Sequence, residues 1–387
     1  MEEAIKIAIL GDICPTKDYR KFFDSQDPEQ VLGGAVNRLK EADLTIANLE
    51  APATESNEPI MKTGPNLKAL PRDLETLQKG GIDVFSMANN HILDYGTQGV
   101  IDTLETCEKL GIRTVGSGRD SKAAKEPLFI PVKDKMIGIL SFAEAEFNLA
   151  TSNQAGANRF DYFDSIKDID SAKKNCDFLI VLYHGGSEHY PYPSPLLQKK
   201  CRNMAEFGAD LVICQHSHCI GTYEEVNGST ILYGQGNAVF GWEDGDQQWN
   251  EGLLVEITII GAVKPQIRFI LLNANADGVG LANENKAGER LRRMNEMSKA
   301  LQHSEQVNAL WEDFSHSHVS LYYSMLFGKG RIFNKINRLL KNRLIDFLYS
   351  DRERMLAMNM LRCDAHNEVI QTILKQNFRK KQDNVEL

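Results

Sequence analysis

Two features of the chain predict an α/β fold. Strand-like and helix-like segments alternate up to about Phe207 and are followed by consecutive strands to Asn273. Five strand-like segments also end in residues of ligand type, namely Asp12, Glu50, Asn90, His184 and the pair His216/His218. Open α/β sheets place their sites at the carboxyl ends of strands. With 387 residues and 42% hydrophobic content, the chain can bury a large core. One large domain over residues 1–280 and a helical, basic extension over 281–387 are expected.

The elements follow in order. Residues 5–10 form a β-rich run that stops at Gly11-Asp12, as a buried strand delivering a carboxylate would. Helical spacing over residues 28–40 puts Val31, Leu32, Ala35, Val36 and Leu39 on one side. Residues 44–47 read as a strand ending at Asn48-Leu49-Glu50. Residues 51–71, with Pro52, Pro59, Pro65 and Pro71, read as a long surface loop. A helix over 72–79 leads through Gly80-Gly81 into a strand over 83–88 that ends at Asn89-Asn90-His91. The helix over 97–110 starts on an N-cap threonine, Thr97, and stops at Gly111. A strand at 112–115 follows, and 128–132 pairs with 136–140 across a short turn.

A polar loop over 143–159 and a helix over 165–174 precede the apolar strand 178–183, which ends at His184-Gly185-Gly186. Pro191, Pro193 and Pro195 keep the next loop irregular, and a helix over 196–207 leads to the run 209–214 and His216-Ser217-His218. Residues two apart on an extended segment point to one side, so these imidazoles are expected to converge on one ion. Strands at 229–233, 253–260 and 267–272 close the β-rich part. From Glu284 the pattern is helical, and Ile332, Phe333, Ile336, Leu339, Leu340, Leu344, Phe347 and Leu348 form one apolar stripe.

Composition narrows the function classes. Seven cysteines without CxxC spacing argue against a disulfide framework and fit a reducing compartment. A net charge of -9 gives no reason to expect nucleic-acid binding. The sequence opens without a basic, apolar leader and has no apolar run near the roughly 18 residues of a membrane span, so a cytoplasmic location is expected. Charge is uneven, however. Between Lys329 and Lys381 there are 13 Lys/Arg against 5 Asp/Glu, a balance of +8 that leaves -17 for the rest. This basic amphipathic tail could pack on the main domain, form a homo-oligomer or lie on an anionic membrane surface, and packing or oligomerisation is the expectation.

Singly, each strand-end residue has an ordinary structural explanation, but together a carboxylate, amide and imidazole set suits one or two divalent ions such as Mn, Fe or Zn. The motifs Gly11-Asp12, Asn48-Leu49-Glu50, Asn89 through Gly96, His184-Gly185-Gly186-Ser187-Glu188, Gly208 through His218 and Tyr233-Gly234-Gln235-Gly236-Asn237 resemble the CapA family of capsule and poly-γ-glutamate synthesis proteins. The resemblance covers residues 5–245. That family in turn looks like a divergent branch of the calcineurin-like metallophosphoesterases, which implies a four-layer αββα sandwich.

The resemblance implies roles. Asp12 would bind the first metal, Glu50 would bridge, and Asn90 would bind the second. His184 and His216 would complete the second site and His218 the first, with His91 protonating the leaving group or touching the phosphate. Asn48, Asn89 and Asp94 would orient these groups, with Glu188 and Asn237 facing the same cleft. Cys14 stands where metallophosphoesterases place a histidine, and its ordinary reading is a small buried residue before Pro15. The implied function is a metal-dependent hydrolase of a phosphoester or polymer-related substrate in capsule or exopolymer synthesis. Its partners would be an anionic or phosphorylated small molecule or polymer and other capsule-synthesis proteins. The alternative is a non-catalytic metal- or polymer-binding component of a capsule synthase.

Overall fold

A computed structural model of the chain describes residues 3–362 apart from 244, 329 and 342, together with 366, 367 and 369. The chain divides into two compact units, Met1–Trp311 and Glu312–Leu387. The first contains all the described strands. Its compactness extends beyond the sequence boundary at 280, because the helix Glu284–Ser298 buries Met294 in one cluster with strand residues such as Ile257 and Leu271.

Among the described residues, the strands form an eight-stranded sheet, a six-stranded sheet and a two-stranded pair. The larger sheet runs Gly278–Leu281, Gln266–Asn275, Glu251–Ile259, Ile5–Ile13, Leu44–Leu49, Val84–Ser86 and Arg113–Val115, with Asn237–Val239 also pairing with Ile5–Ile13. The smaller runs Tyr223–Val226, Ser229–Leu232, Leu211–Gln215, Phe178–His184, Lys135–Ala143 and Leu128–Val132. Parallel pairing joins Ile5–Ile13 to Leu44–Leu49 and Val84–Ser86 in one sheet, and Lys135–Ala143, Phe178–His184 and Leu211–Gln215 in the other. Their carboxyl ends therefore lie at one edge of each sheet.

Three apolar clusters define the layers. Ile5, Ile7 and Ile9 alternate inward against Ile137, Ile139, Ile180 and Leu182, so the two sheets pack face to face. Leu10, Leu49 and Phe85 pack outward against Val31, Leu74 and Val100 of helices on the larger sheet. Leu179 and Val181 pack outward against Ile169, Leu197 and Met204 of helices on the smaller one. The result is a four-layer αββα sandwich. The parallel strands are buried on both sides, which is why they read as nearly unbroken apolar runs.

Three local expectations need correction. The helix expected over 28–40 is two, Pro28–Leu32 and Ala35–Lys40. Gly33 lies between them at φ +53°, and a Cβ there would run into the Val279 carbonyl. The helix expected to be capped by Thr97 is Gly96–Leu110, entered from Tyr95 without a side-chain cap. The strand before the histidine pair stops at Gln215, and His216 and His218 have φ of +87° and +50°. Their convergence thus comes from a left-handed turn, not from the two-residue period of an extended strand.

Gln235 ties the two sheets together beside that turn. Its Nε2 donates to the carbonyls of Ile9 (2.8 Å) and Leu253 (3.0 Å), and its Oε1 accepts from Gln215 Nε2 (3.0 Å). Gly11 sits at the same junction, so close to the Gly236 carbonyl that a Cβ has no room. Gly11→Ala is therefore expected to cost more than ~2 kcal/mol in chemical denaturation, since backbone on both sides is fixed by sheet pairing. A loss below half that amount would show that the junction can relax.

Candidate metal centre

The sheet edges bring Asp12, Glu50, His184, His216 and His218 together. One ligand atom from each of Glu50, His216 and His218 lies within 4.8 Å of the others, and the same holds for Asp12, Glu50 and His184. Glu50 belongs to both groups. These triads cut across the division implied by the resemblance, although His218 Nδ1 also stands 3.6 Å from Asp12 Oδ2. Asn90 joins from the turn after Val84–Ser86, its Oδ1 3.0 Å from His184 Nε2.

Each group has a support that fixes its direction. Asn48 Nδ2 donates to Asp12 Oδ1 (2.7 Å) and lies 3.3 Å from His184 Nδ1. The His216 backbone N–H donates to Asp12 Oδ2 (3.1 Å), which holds the turn against the first strand. Asn89 Nδ2 donates to Leu49 O (2.7 Å) and Asn48 Oδ1 (3.2 Å). His218 Nδ1 lies 2.8 Å from Asn237 Oδ1, and Asn237 Nδ2 donates to Trp249 O (2.9 Å). The His218 ring packs between Phe240 and Trp249, with centroids at 4.8 and 4.9 Å. A cleft of about 540 Å³ opens beside these aromatic rings and is also lined by Cys14, Thr16 and Trp242.

Glu50 is the exception to this pattern of support. Both of its oxygens and His216 Nδ1 are buried without a hydrogen-bond partner. The nearest groups to the carboxylate are His184 Nε2 at 3.3 Å and His218 Nε2 at 3.9 Å. Burial, and then the neighbouring Asp12, pushes the Glu50 carboxyl up to about 8. Burial holds His184 below the usual imidazole range and His216 well below it, the latter also through the other histidines. Both rings are thus neutral and able to donate lone pairs to a cation.

His91 occupies a separate corner. Its Nδ1 lies 2.6 Å from Asp94 Oδ2, which fixes the ring. Sequence reasoning missed Lys62, from the proline-containing loop. Its buried ammonium pairs with Asp94 and stands 3.2 Å from His91 Nδ1. A lone lysine in an aperiodic loop carries no signal of this. Cys14 is fully buried, and burial followed by the Glu50 charge pushes its thiol well up. Without a metal it is held as a neutral thiol. Glu188 is exposed, and Tyr190 packs against Tyr192 and Trp311 as ordinary loop packing.

Residues 6–242 match the family of the bacterial capsule synthesis protein PGA_cap. The chain belongs to this family. It is 27% identical over 256 residues to the capsule biosynthesis protein CapA of Bacillus anthracis, covering 64% of this chain and 61% of that protein. Identity to the PGA biosynthesis protein CapA of Bacillus subtilis is 27% over 252 residues, covering 64% and 65%. A probable polyglutamine synthesis accessory protein of Mycobacterium tuberculosis is 28% identical over 214 residues, covering 52% and 56%. The chain thus spans less than two thirds of the length of these PGA_cap relatives. Among solved structures, the 5'-nucleotidase of Candida albicans aligns with 81% of this chain and 58% of its own, at 12% identity and a TM-score of 0.41. No described helix of this PGA_cap member is long and apolar enough to cross a membrane.

The Glu50 environment sets a pH dependence. A carboxyl held near 8 in the folded chain, against 4.5 in the unfolded one, keeps its proton across that window. The folded metal-free state then binds more protons than the unfolded state, so this group's contribution to stability falls as pH rises from 4.5 to about 8. A divalent cation needs the ionised form. Its dissociation constant is therefore expected to fall roughly tenfold per pH unit between pH 6 and pH 8, with about one proton released per site at neutral pH. Calorimetry of Mn²⁺ binding in buffers of different ionisation enthalpy measures both, and a pH-independent constant in that range would contradict the assignment.

Proposed function

We propose that this chain is a divalent-metal-dependent phosphoester hydrolase acting in capsule or exopolymer synthesis. The observation that supports it most is the Glu50 carboxylate, buried with neither oxygen hydrogen-bonded and placed between two histidine-containing triads. A buried carboxyl without a hydrogen-bond partner is costly to keep, most of all when ionised, and neutral imidazoles do not repay that. A divalent cation does, and the neutral His184 and His216 rings fit the same demand. Asp12, Glu50, Asn90, His184, His216 and His218 would hold one or two ions, with Mn, Fe or Zn suiting the mixed oxygen and nitrogen donors. Bound there, such an ion supplies Lewis-acid polarisation of a phosphoryl oxygen and a more acidic water.

The chain's own residues supply the rest. Asp94 and Lys62 hold His91 so that Nε2 can hand a proton to the leaving oxygen. Asn48 and Asn89 keep Asp12 and the Leu49-Glu50 segment in register. The aromatic cleft beside His218 is large enough for the organic part of a substrate. Membership of a capsule-synthesis family supports an anionic or phosphorylated polymer or its precursor as that substrate, with the other capsule-synthesis proteins as partners. A non-catalytic, polymer-binding role is the second reading. Cys14, a neutral thiol where a histidine ligand would complete the first ion's site, favours it.

Purified protein is expected to carry close to stoichiometric metal and to hydrolyse a generic aryl phosphoester. Glu50→Gln and His216→Ala should each lose the metal, and His91→Asn should keep it while kcat falls ~10²–10⁴-fold. Metal-bound wild type that is inert on mono- and diesters would select the non-catalytic role. Protein that takes up no Mn²⁺, Fe²⁺ or Zn²⁺ would end the hydrolase reading and leave the polymer-binding one.

A further inference from the structure

The second compact unit carries its large apolar side chains outward. Among its described residues, the buried side chains are Ser324, Asn337 and Ile345. Two of these are polar, whereas Ile332, Leu339 and Phe347 are 79%, 81% and 85% exposed. A unit folded for water alone buries the other set, and exposed apolar surface of this extent marks an interaction face.

The helix Gly330–Leu339 is one-sided. Ile332, Ile336 and Leu339 recur at steps of four and three and share a face, while the exposed Lys335 and Arg338 lie off it. Asn337 points another way, its Oδ1 accepting the Ile345 N–H (3.1 Å). Asn337 is thus turned into the unit while the apolar stripe is turned away from it. Charge is equally one-sided. Residues 314–345 contain no Asp or Glu, against Lys329, Arg331, Lys335, Arg338, Lys341 and Arg343.

We propose that this unit binds in the plane of an anionic lipid bilayer, with Ile332, Ile336, Leu339 and Phe347 in the acyl boundary and the basic side chains on the headgroups. A bilayer meets both properties at once, since it offers apolar depth beneath negative charge. A second copy seated on the same face would bring the exposed Lys335 and Arg338 that flank it near those of its partner, which like-charge repulsion opposes. The mode is interfacial, because no described helix is long and apolar enough to cross. The inference stands on this unit alone and does not depend on the activity of the metal centre.

Flotation of the full chain with phosphatidylcholine vesicles, alone or with ~30% phosphatidylglycerol, tests it. Binding to the anionic vesicles is expected to be more than ~tenfold stronger and to fall steeply with added salt. Leu339→Glu and the pair Lys335→Glu with Arg338→Glu should each weaken binding while leaving the circular dichroism spectrum unchanged, since all three side chains are exposed. Equal partitioning onto both vesicles, or none onto either, overturns the proposal. So does a dimer that Leu339→Glu dissolves while the wild type stays off the vesicles, an outcome that assigns the face to a second copy.

Discussion

A carboxylate that is buried with neither oxygen hydrogen-bonded is the constraint around which the first unit is arranged. Glu50 follows directly on a strand that is buried along its whole length, so it cannot swing to solvent. Two imidazoles, His184 and His218, and the Asp12 carboxyl stand close to it. In water-filled surroundings such a cluster would relax, but here its backbone is fixed by parallel pairing on both sides. The strand Leu44–Leu49 pairs with Ile5–Ile13 and with Val84–Ser86, and those neighbours deliver Asp12 and the Asn89-Asn90-His91 turn. Precision at the site is therefore inherited from sheet register.

The second sheet has to be held to the first with comparable accuracy, since His184, His216 and His218 come from it. Apolar packing between the sheets sets their separation but is weak in fixing their slide. The polar link through Gln235 supplies that direction. It reaches the carbonyls of two strands in the larger sheet and the side chain of Gln215, the residue just before His216. The bond from His216 N–H to Asp12 Oδ2 makes a second tie across the same gap. The left-handed backbone at His216 is unfavourable for a non-glycine residue and persists because these ties over-determine it.

Much of the fold and most of the site were legible in the sequence because buried parallel strands announce themselves. Their apolar runs end abruptly, and the residues at those ends are the ones the two sheet edges bring together. What stayed hidden has physical reasons. The convergence of His216 and His218 is right in outcome but comes from a positive-φ turn, which no periodicity reports. Lys62 acts from a loop with neither period nor turn signature, over thirty residues before its ion-pair partner Asp94. The break at Gly33 depends on the approach of Val279, nearly the length of the unit away in sequence. Met294, likewise, joins the helix at Glu284–Ser298 to the strand core by a contact that helical pattern alone cannot place.

Charge bookkeeping explains why Lys62 belongs to the site at all. Asp94 orients His91, yet a third buried carboxyl near Asp12 and Glu50 without a cation beside it would raise the cost of the whole cluster. The Lys62 ammonium cancels that charge locally, its side chain only 4% exposed. The carboxylates of the two triads are Asp12 and Glu50, a formal charge of -2 once both are ionised. One divalent ion would neutralise it. Two would leave an excess of +2, which an unbound site can balance only with hydroxide or another anion and which a phosphate dianion matches. The neutral Cys14 thiol adds no negative charge to this set.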